Sequence, residues 1–205
     1  MVSAQYTRKE SALRGHMDTN PGEYEHDFTL VLTGIADLTP EVENALLGSG
    51  CDDGTIAMRM GRPYITFSRR ALSMKDAILS AIENVRTAGI GADVLRVDYC
   101  NLVTQADIAR KINRSRQLVH QYMMGERGPG GFPPPACGIA EDAPLWYWCE
   151  VAYWLCENNM VKADVLRDAE EVELINNVLE LTRQKANKPD LTKEVIKSVS
   201  PQMCS

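Results

Sequence analysis

The stretch that decides the fold lies between Leu102 and Gly131 and reads LVTQADIARKINRSRQLVHQYMMGERGPGG. Its apolar residues recur at helical spacing in two short runs. Thr104 and Ser115 precede the runs, and their hydroxyls can accept hydrogen bonds from the free backbone N–H groups of a helix start. Asn113 stands between the runs and tolerates the left-handed conformation that a sharp turn requires. The stretch therefore predicts two short helices joined by a tight turn.

Each predicted helix has one apolar and one polar face. The residues expected to be buried are Ile108, Ala109, Ile112, Leu118, Val119 and Tyr122. Small Ala109 would let the two helices cross closely. The outer face of the second helix is left with four polar residues, namely Arg116, Gln117, His120 and Gln121. Arg and Gln form paired hydrogen bonds with guanine and adenine in the major groove, so we expect this face to read base edges.

Two further runs follow the second helix, the Gly/Pro-rich GERGPGGFPPP and the aromatic PLWYWCEVAYWL. With them, residues 101–159 resemble the winged helix-turn-helix domains of excisionase and mercury-resistance-regulator (MerR) type. The resemblance implies that the chain binds double-stranded DNA, with phosphate contacts from the helix starts and the base of the wing. The candidates for these contacts are Thr104, Gln105, Arg114, Ser115 and Arg127. A helical hairpin in an enzyme would show the same spacing, and this alternative stays open.

The distribution of charge fits a local nucleic-acid surface. The chain has 28 acidic and 22 basic residues and a net charge of −6, which argues against a generally basic protein. Between residues 99 and 131, however, five basic residues stand against two acidic ones, which leaves +3 here and −9 elsewhere. The five are Arg110, Lys111, Arg114, Arg116 and Arg127. Phosphate binding by one face requires positive charge of this local kind.

Composition and motifs exclude several other classes of protein. A chain of 205 residues with 44% hydrophobic content fits a globular protein of two small domains. Its six cysteines form no Cys-x-x-Cys pair, so no zinc site is expected. There is no membrane-spanning apolar run, signal-peptide layout, phosphate-binding glycine loop or nucleophile motif. We therefore expect a cytoplasmic protein that is not an enzyme and has no cofactor or metal.

The N-terminal half shows the pattern of a sheet with two helices. Residues 1–26 are polar and aperiodic, which predicts disorder. Strands are predicted at 28–34, 54–60, 63–68 and 92–97, and helices from Thr39-Pro40 to about residue 49 and from Ser73 to Gly89. The order βαββαβ indicates a ferredoxin-like domain over residues 27–98.

That domain leaves one face of its sheet open. The residues expected there are Thr29, Val31, Thr33, Arg59, Tyr64 and Thr66. RNA recognition needs aromatic side chains on such a face, and only Tyr64 could stack on a base. The mixed surface suits a protein partner or a small ligand better.

Beyond the helix-turn-helix, we expect residues 132–135 to form the outer edge of a wing and residues 144–146 its returning strand. A helix from Trp148 to Leu155 should face inward with Trp148, Val151, Ala152 and Leu155. The aromatic residues of this segment are interpreted as core, with a stacking surface for nucleic acid as the alternative; they are Trp146, Tyr147, Trp148, Tyr153 and Trp154. Another helix, predicted between Val161 and Lys185, has a narrow apolar stripe. The stripe consists of Val165, Ala169, Val172, Ile175 and Leu179.

A stripe of this width suits packing against another helix, and we expect it to join two copies into a homodimer. The alternative is that it folds back on its own chain. Two copies would also improve discrimination, because one short recognition helix covers only a few base pairs.

As a whole, the sequence predicts an α+β protein in four parts. These are a disordered segment (1–26), a ferredoxin-like domain (27–98), a winged helix-turn-helix domain (99–160) and a C-terminal helix with its tail (161–205). The implied function is that of a sequence-specific DNA-binding transcriptional regulator of bacterial or phage type. A protein-interaction subunit, such as an antitoxin or defence-system component, and an RNA-binding protein that uses the N-terminal sheet stay open as alternatives.

Overall fold

The computed structural model of the chain describes residues 22–140 and 142–200, so most of the segment predicted to be disordered lies outside the described residues. The fold is of mixed α+β class, with a four-stranded antiparallel sheet followed by a mostly helical second half. None of the described helices is both long and apolar enough to cross a membrane.

The N-terminal half contains strands and helices in the order that the sequence predicts. Its elements are β1 (Tyr24–Thr33), α1 (Pro40–Leu46), a π-helical turn (Leu47–Cys51), β2 (Gly54–Arg59), β3 (Arg62–Ala71), α2 (Met74–Thr87) and β4 (Asp93–Val97). The sheet has the strand order β2-β3-β1-β4, and all neighbouring strands are antiparallel. Both predicted caps are confirmed, since Thr39 accepts from the N–H of Val42 and Ser73 accepts from the N–H of Asp76.

Alternating burial along β1 and β3 defines the two faces of this sheet. Phe28, Leu30, Ile65 and Phe67 are buried on one face, where they form a core with α2. The opposite face carries the residues predicted for it, and all of them are half-buried or exposed. Of its side chains, Thr29 and Thr66 lie across from each other with their hydroxyl oxygens 3.0 Å apart.

The prediction of disorder up to residue 26 is wrong for residues 24–26, which form the start of β1. Tyr24 pairs with Ala71 and His26 with Arg69, so β3 holds the backbone of this polar stretch. The ring nitrogen Nε2 of His26 also lies 3.3 Å from the carbonyl oxygen of Ala71. Polar side chains give no alternating apolar signal, and the sequence therefore did not indicate this pairing.

The second half is built from two short strands and five helices in the described part of the chain. They are β5 (Leu102–Val103), α3 (Gln105–Lys111), α4 (Arg116–Met123), β6 (Trp146–Tyr147), α5 (Trp148–Glu157), α6 (Ala163–Asn187) and α7 (Pro189–Val199). In α5, the four residues predicted to face inward are at most 2% exposed, as expected. Trp154 is buried as well.

The prediction of an outer wing edge at residues 132–135 is wrong, because none of them lies in a strand. Cys137 bridges Leu145 instead, and the adjoining β6 pairs with β5. Three consecutive prolines lack the N–H groups that a strand ladder needs, so pairing begins only after them. The returning strand lies close to its predicted position.

Helix α6 connects the two halves of the protein. Its Ala169 belongs to the core formed by α3, α4, α5 and β6, whereas Val172, Ile175 and Leu179 belong to the core of the sheet and α2. All four are at most 8% exposed, and Val165 is half-buried. The stripe predicted as the dimer contact is thus packed within its own chain, and that assignment is wrong. The helical spacing of these apolar residues predicts that they share one face, but it cannot show which surface packs against that face.

Candidate nucleic-acid interface

Helix α3 begins with a reciprocal capping arrangement. The Thr104 hydroxyl oxygen accepts from the backbone N–H of Asp107 at 3.2 Å, and the Asp107 carboxylate accepts from the backbone N–H of Thr104 at 2.9 Å. The Thr104 hydroxyl also donates to this carboxylate at 2.6 Å. These bonds to Thr104 lower the pKa of Asp107 below its usual value. The sequence predicted Thr104 as a cap but not the return bond from Asp107.

The turn between the helices has the geometry that the sequence indicates. Asn113 has a φ of +52°, in the left-handed region. Its N–H donates to the carbonyl of Arg110, while the N–H of Arg114 donates to the carbonyl of Ala109 at 2.9 Å. This pair of bonds is the Schellman arrangement that ends a helix. Ser115 then starts α4 by accepting from the N–H of Leu118 at 3.2 Å, as predicted.

The crossing of α3 and α4 is tight and mostly apolar. Ile108, Ala109 and Val119 are at most 3% exposed and share a core with α5 and β6. The other three residues predicted as buried, Ile112, Leu118 and Tyr122, are half-buried. Gln105 adds a polar brace, since its amide Nε2 donates to the carbonyl of Arg116 at 2.8 Å. The two helices therefore form one rigid unit.

The four predicted base-reading residues lie together on α4, away from Val119. Arg116, Gln117 and His120 are exposed, and Gln121 is half-buried. Among the described residues, no side chain or backbone group forms a hydrogen bond or an ion pair with any of these four side chains. An α-helix with its side chains is about 10–12 Å in diameter, which fits a major groove about 12 Å wide. The face thus has free donors and suitable dimensions.

Two of the five basic residues counted in this region are already engaged. The Lys111 ammonium lies 3.9 Å from the ring centre of Tyr99 and 4.8 Å from that of Trp148. Burial at this site lowers the pKa of Lys111 and raises that of Tyr99 to about 12. Arg110 forms an ion pair with Asp107. The spacing of Lys111 three residues after Ile108 places it beside the apolar face of α3, which the sequence could have indicated. The aromatic partner Trp148 is distant in sequence, so the contact itself could not be predicted.

The remaining three arginines surround α4. Arg114 precedes its cap, Arg116 is its first residue and Arg127 follows its C-terminal end, and all three are exposed. None of them forms an ion pair with a residue in the described ranges. Of the other predicted phosphate contacts, Thr104 and Gln105 are held by the internal bonds described above. The Ser115 hydroxyl donates to no acceptor within the described ranges, so its proton is available for a phosphate oxygen.

Aromatic side chains fix the loop that follows α4. The indole N–H of Trp154 donates to the carbonyl of Gly130 at 2.9 Å, and that of Trp146 donates to the carbonyl of Pro133 at 3.1 Å. The Phe132 ring packs edge-on against both tryptophans. These three rings are therefore used for packing and for holding the loop. The interpretation of the aromatic segment as core is confirmed for Trp146, Trp148 and Trp154, but it is wrong for Tyr147 and Tyr153, which are 42% and 56% exposed.

At the position predicted for the wing tip, Asp142 is exposed with a φ of +52°, and Glu141 lies outside the described residues. A carboxylate at this position would repel phosphate, so Arg127 is the better candidate for a backbone contact. On the open sheet face, Tyr64 is half-buried. The described residues contain no group of three or more His, Cys, Asp or Glu side chains that could hold a metal ion.

Comparisons of the chain with protein-family models, with curated proteins and with solved structures find no match. Helices α3 and α4 and the loop that follows them therefore provide the basis for a functional proposal.

Proposed function

We propose that this protein is a sequence-specific DNA-binding transcriptional regulator of bacterial or phage type, in which α4 enters the major groove. The observation that carries the proposal is the outer face of α4. Arg116, Gln117 and His120 are exposed there with no partner among the described residues, on a helix that Val119 anchors in the core. Side chains held in this way can contact bases without first breaking internal bonds.

The finer assignment of the two domains belongs to the same proposal. The strand order β2-β3-β1-β4, together with the βαββαβ sequence of elements, supports a ferredoxin-like N-terminal domain. Strand β6 pairs with β5, and Leu145, which directly precedes β6, bridges Cys137. These two pairings support a winged helix-turn-helix. In such a domain the first strand pairs with the last one, and the wing lies between the last two. We propose that the protein acts in the cytoplasm as a homodimer on an inverted repeat.

Selection of DNA from a random duplex pool by the purified protein tests the proposal directly. Binding of the selected site is then compared for the wild type and Arg116→Ala. We expect the variant to lose about 1–3 kcal/mol on the selected site and to discriminate less at one position. Arg59→Ala is a matched control, because Arg59 is an exposed arginine on the sheet and far from α4 in sequence. Equal losses on selected and random DNA would refute base reading by Arg116.

Phosphate contacts are tested by the dependence of affinity on salt. Replacing Arg114 or Arg127 with Ala should weaken binding to all sequences alike. Each lost contact should reduce the slope of log K against log salt by about 0.9. An unchanged slope for both variants would show that neither arginine contacts the backbone.

The RNA alternative has its own test. If the open sheet face binds RNA, a single-stranded pool should bind and Tyr64→Ala should lose about 1–3 kcal/mol per stacked base. We expect neither result. Micromolar or tighter RNA binding that requires Tyr64 would place RNA recognition ahead of DNA recognition.

A further inference from the structure

Helix α6 has a second apolar stripe, opposite the one that is buried in the two cores. It consists of Leu174, Val178 and Leu181, which are 65%, 55% and 42% exposed. These residues follow at steps of four and three, so they lie in line on one helix face. Three aliphatic side chains in line on an exposed face are unusual for a helix that already buries its other side.

The outer stripe meets α7 at one apolar side chain, Ile196, while Leu191 and Val195 lie on the opposite side of that helix. Four of its side chains, Leu191, Val195, Ile196 and Val199, are between 37% and 76% exposed, and none of its residues is buried. Ile196 and Lys185 line a common groove of about 500 Å³ between the two helices. Lys185 lies one turn beyond Leu181 on the same face of α6, so the stripe leads directly to this groove.

We propose that the outer stripe of α6, together with α7, is the contact through which two copies of this chain form an antiparallel dimer. Summed over their exposed fractions, the three stripe residues and Ile196 present on the order of 300 Å² of apolar surface per copy, whereas a stable interface buries about 800 Å² per partner. Flanking polar residues supply the remainder. A second copy also explains why the pattern of exposed residues is symmetric along α6.

This symmetry centres on the point between Asn177 and Val178. Leu174 and Leu181 are equally far from that point, so an antiparallel two-fold axis there places each leucine against the other one of the second copy. Glu170 and Lys185 are also equally far from it and occur on the same helix face. The same axis therefore places Glu170 of each copy opposite Lys185 of the other copy.

The wider charge distribution agrees with this register. Residues 163–180 include six acidic residues and one basic residue, whereas residues 181–199 include five basic and two acidic ones. Glu170 borders a groove of about 540 Å³ that is also lined by Trp154, Glu150 and Glu157. Opposite charges at both ends favour the antiparallel arrangement over the parallel one.

Sedimentation of the full chain without DNA tests the proposal, so its outcome does not depend on whether the protein binds DNA. We expect the wild type to be a dimer at tens of micromolar. The double variant Leu174→Glu/Leu181→Glu should be a monomer with an unchanged circular dichroism spectrum. Leu79→Glu is the matched control, because Leu79 is 48% exposed on α2 and lies outside the stripe. It should remain a dimer.

Charge reversal tests the register itself, with substitutions on exposed residues that should not affect folding. Glu170→Lys and Lys185→Glu should each weaken self-association at least tenfold, because like charges then meet at both ends. An equimolar mixture of the two variants should restore association as a heterodimer. A mixture that stays monomeric would overturn the antiparallel register. A wild type that is monomeric at 100 micromolar would overturn the second copy as occupant and leave the stripe to a different protein.

Discussion

Replacing Asn176 with Ala is expected to reduce the free energy of unfolding by about 1–3 kcal/mol. Asn176 lies on α6, and its side-chain oxygen Oδ1 accepts from the backbone N–H of Val97 at 2.8 Å. Its Nδ2 donates to the carbonyl of Val97 at 3.2 Å. The amide thus pairs with the outer edge of β4, which has β1 as its sole neighbour in the described sheet.

The size of this stability loss depends on which backbone groups of Val97 keep a hydrogen-bond partner in the Asn176→Ala variant. The carbonyl of Val97 still accepts from the N–H of Tyr99 at 2.8 Å, so its loss is small. The N–H of Val97 loses its acceptor, and Val97 is only 2% exposed. A buried N–H that loses its acceptor in this way costs about 1–3 kcal/mol, which sets the expected size of the effect.

Urea denaturation followed by circular dichroism measures this difference. Asn177→Ala is the control, because the neighbouring Asn177 is exposed and gains the same helix propensity from alanine. We expect the control to change stability by less than about 0.5 kcal/mol. If both variants shift the midpoint equally, the bond between Asn176 and β4 contributes nothing and the reasoning is refuted.

Three further changes are predicted. Trp154→Phe removes the bond to the Gly130 carbonyl, so trypsin should cleave faster after Arg127 while cleavage after Arg59 stays the same; equal acceleration at both sites would indicate global unfolding instead. Ala109→Leu should destabilise the protein by about 1–3 kcal/mol in urea, because Ala109 is 3% exposed at the crossing of α3 and α4; the same change at half-exposed Ala106 should cost less, and equal costs would contradict a tight crossing. Asp168→Asn should raise the melting temperature at pH 7. Burial raises the pKa of Asp168, so the folded state disfavours the carboxylate, and the wild type loses stability as the pH rises above the unfolded pKa of about 3.9. The difference between the two proteins should close toward pH 3.5, and an Asn variant that melts lower at pH 7 would refute this sign.

Local features of helices α3 and α4 and of the turn between them were determined by the sequence itself. The hydroxyls of Thr104 and Ser115 cap α3 and α4 from three residues away, and the left-handed Asn113 ends the first helix. Such interactions span only a few residues, so the residue types at fixed spacing are sufficient to predict them. The burial of Ile108, Ala109 and Val119 was likewise predicted from their helical spacing.

Interactions between distant segments were decided only by the tertiary structure. The sequence counted Lys111 as a free positive charge, yet Tyr99 and Trp148 hold its ammonium group. It likewise predicted an apolar stripe on α6 but not its partner, and the chain itself supplies that partner from both cores. The period of a helix shows that a face is apolar, but which surface covers that face depends on where distant elements meet. For the same reason, the stripe of Leu174, Val178 and Leu181 became visible only once the other side of α6 was seen to be buried.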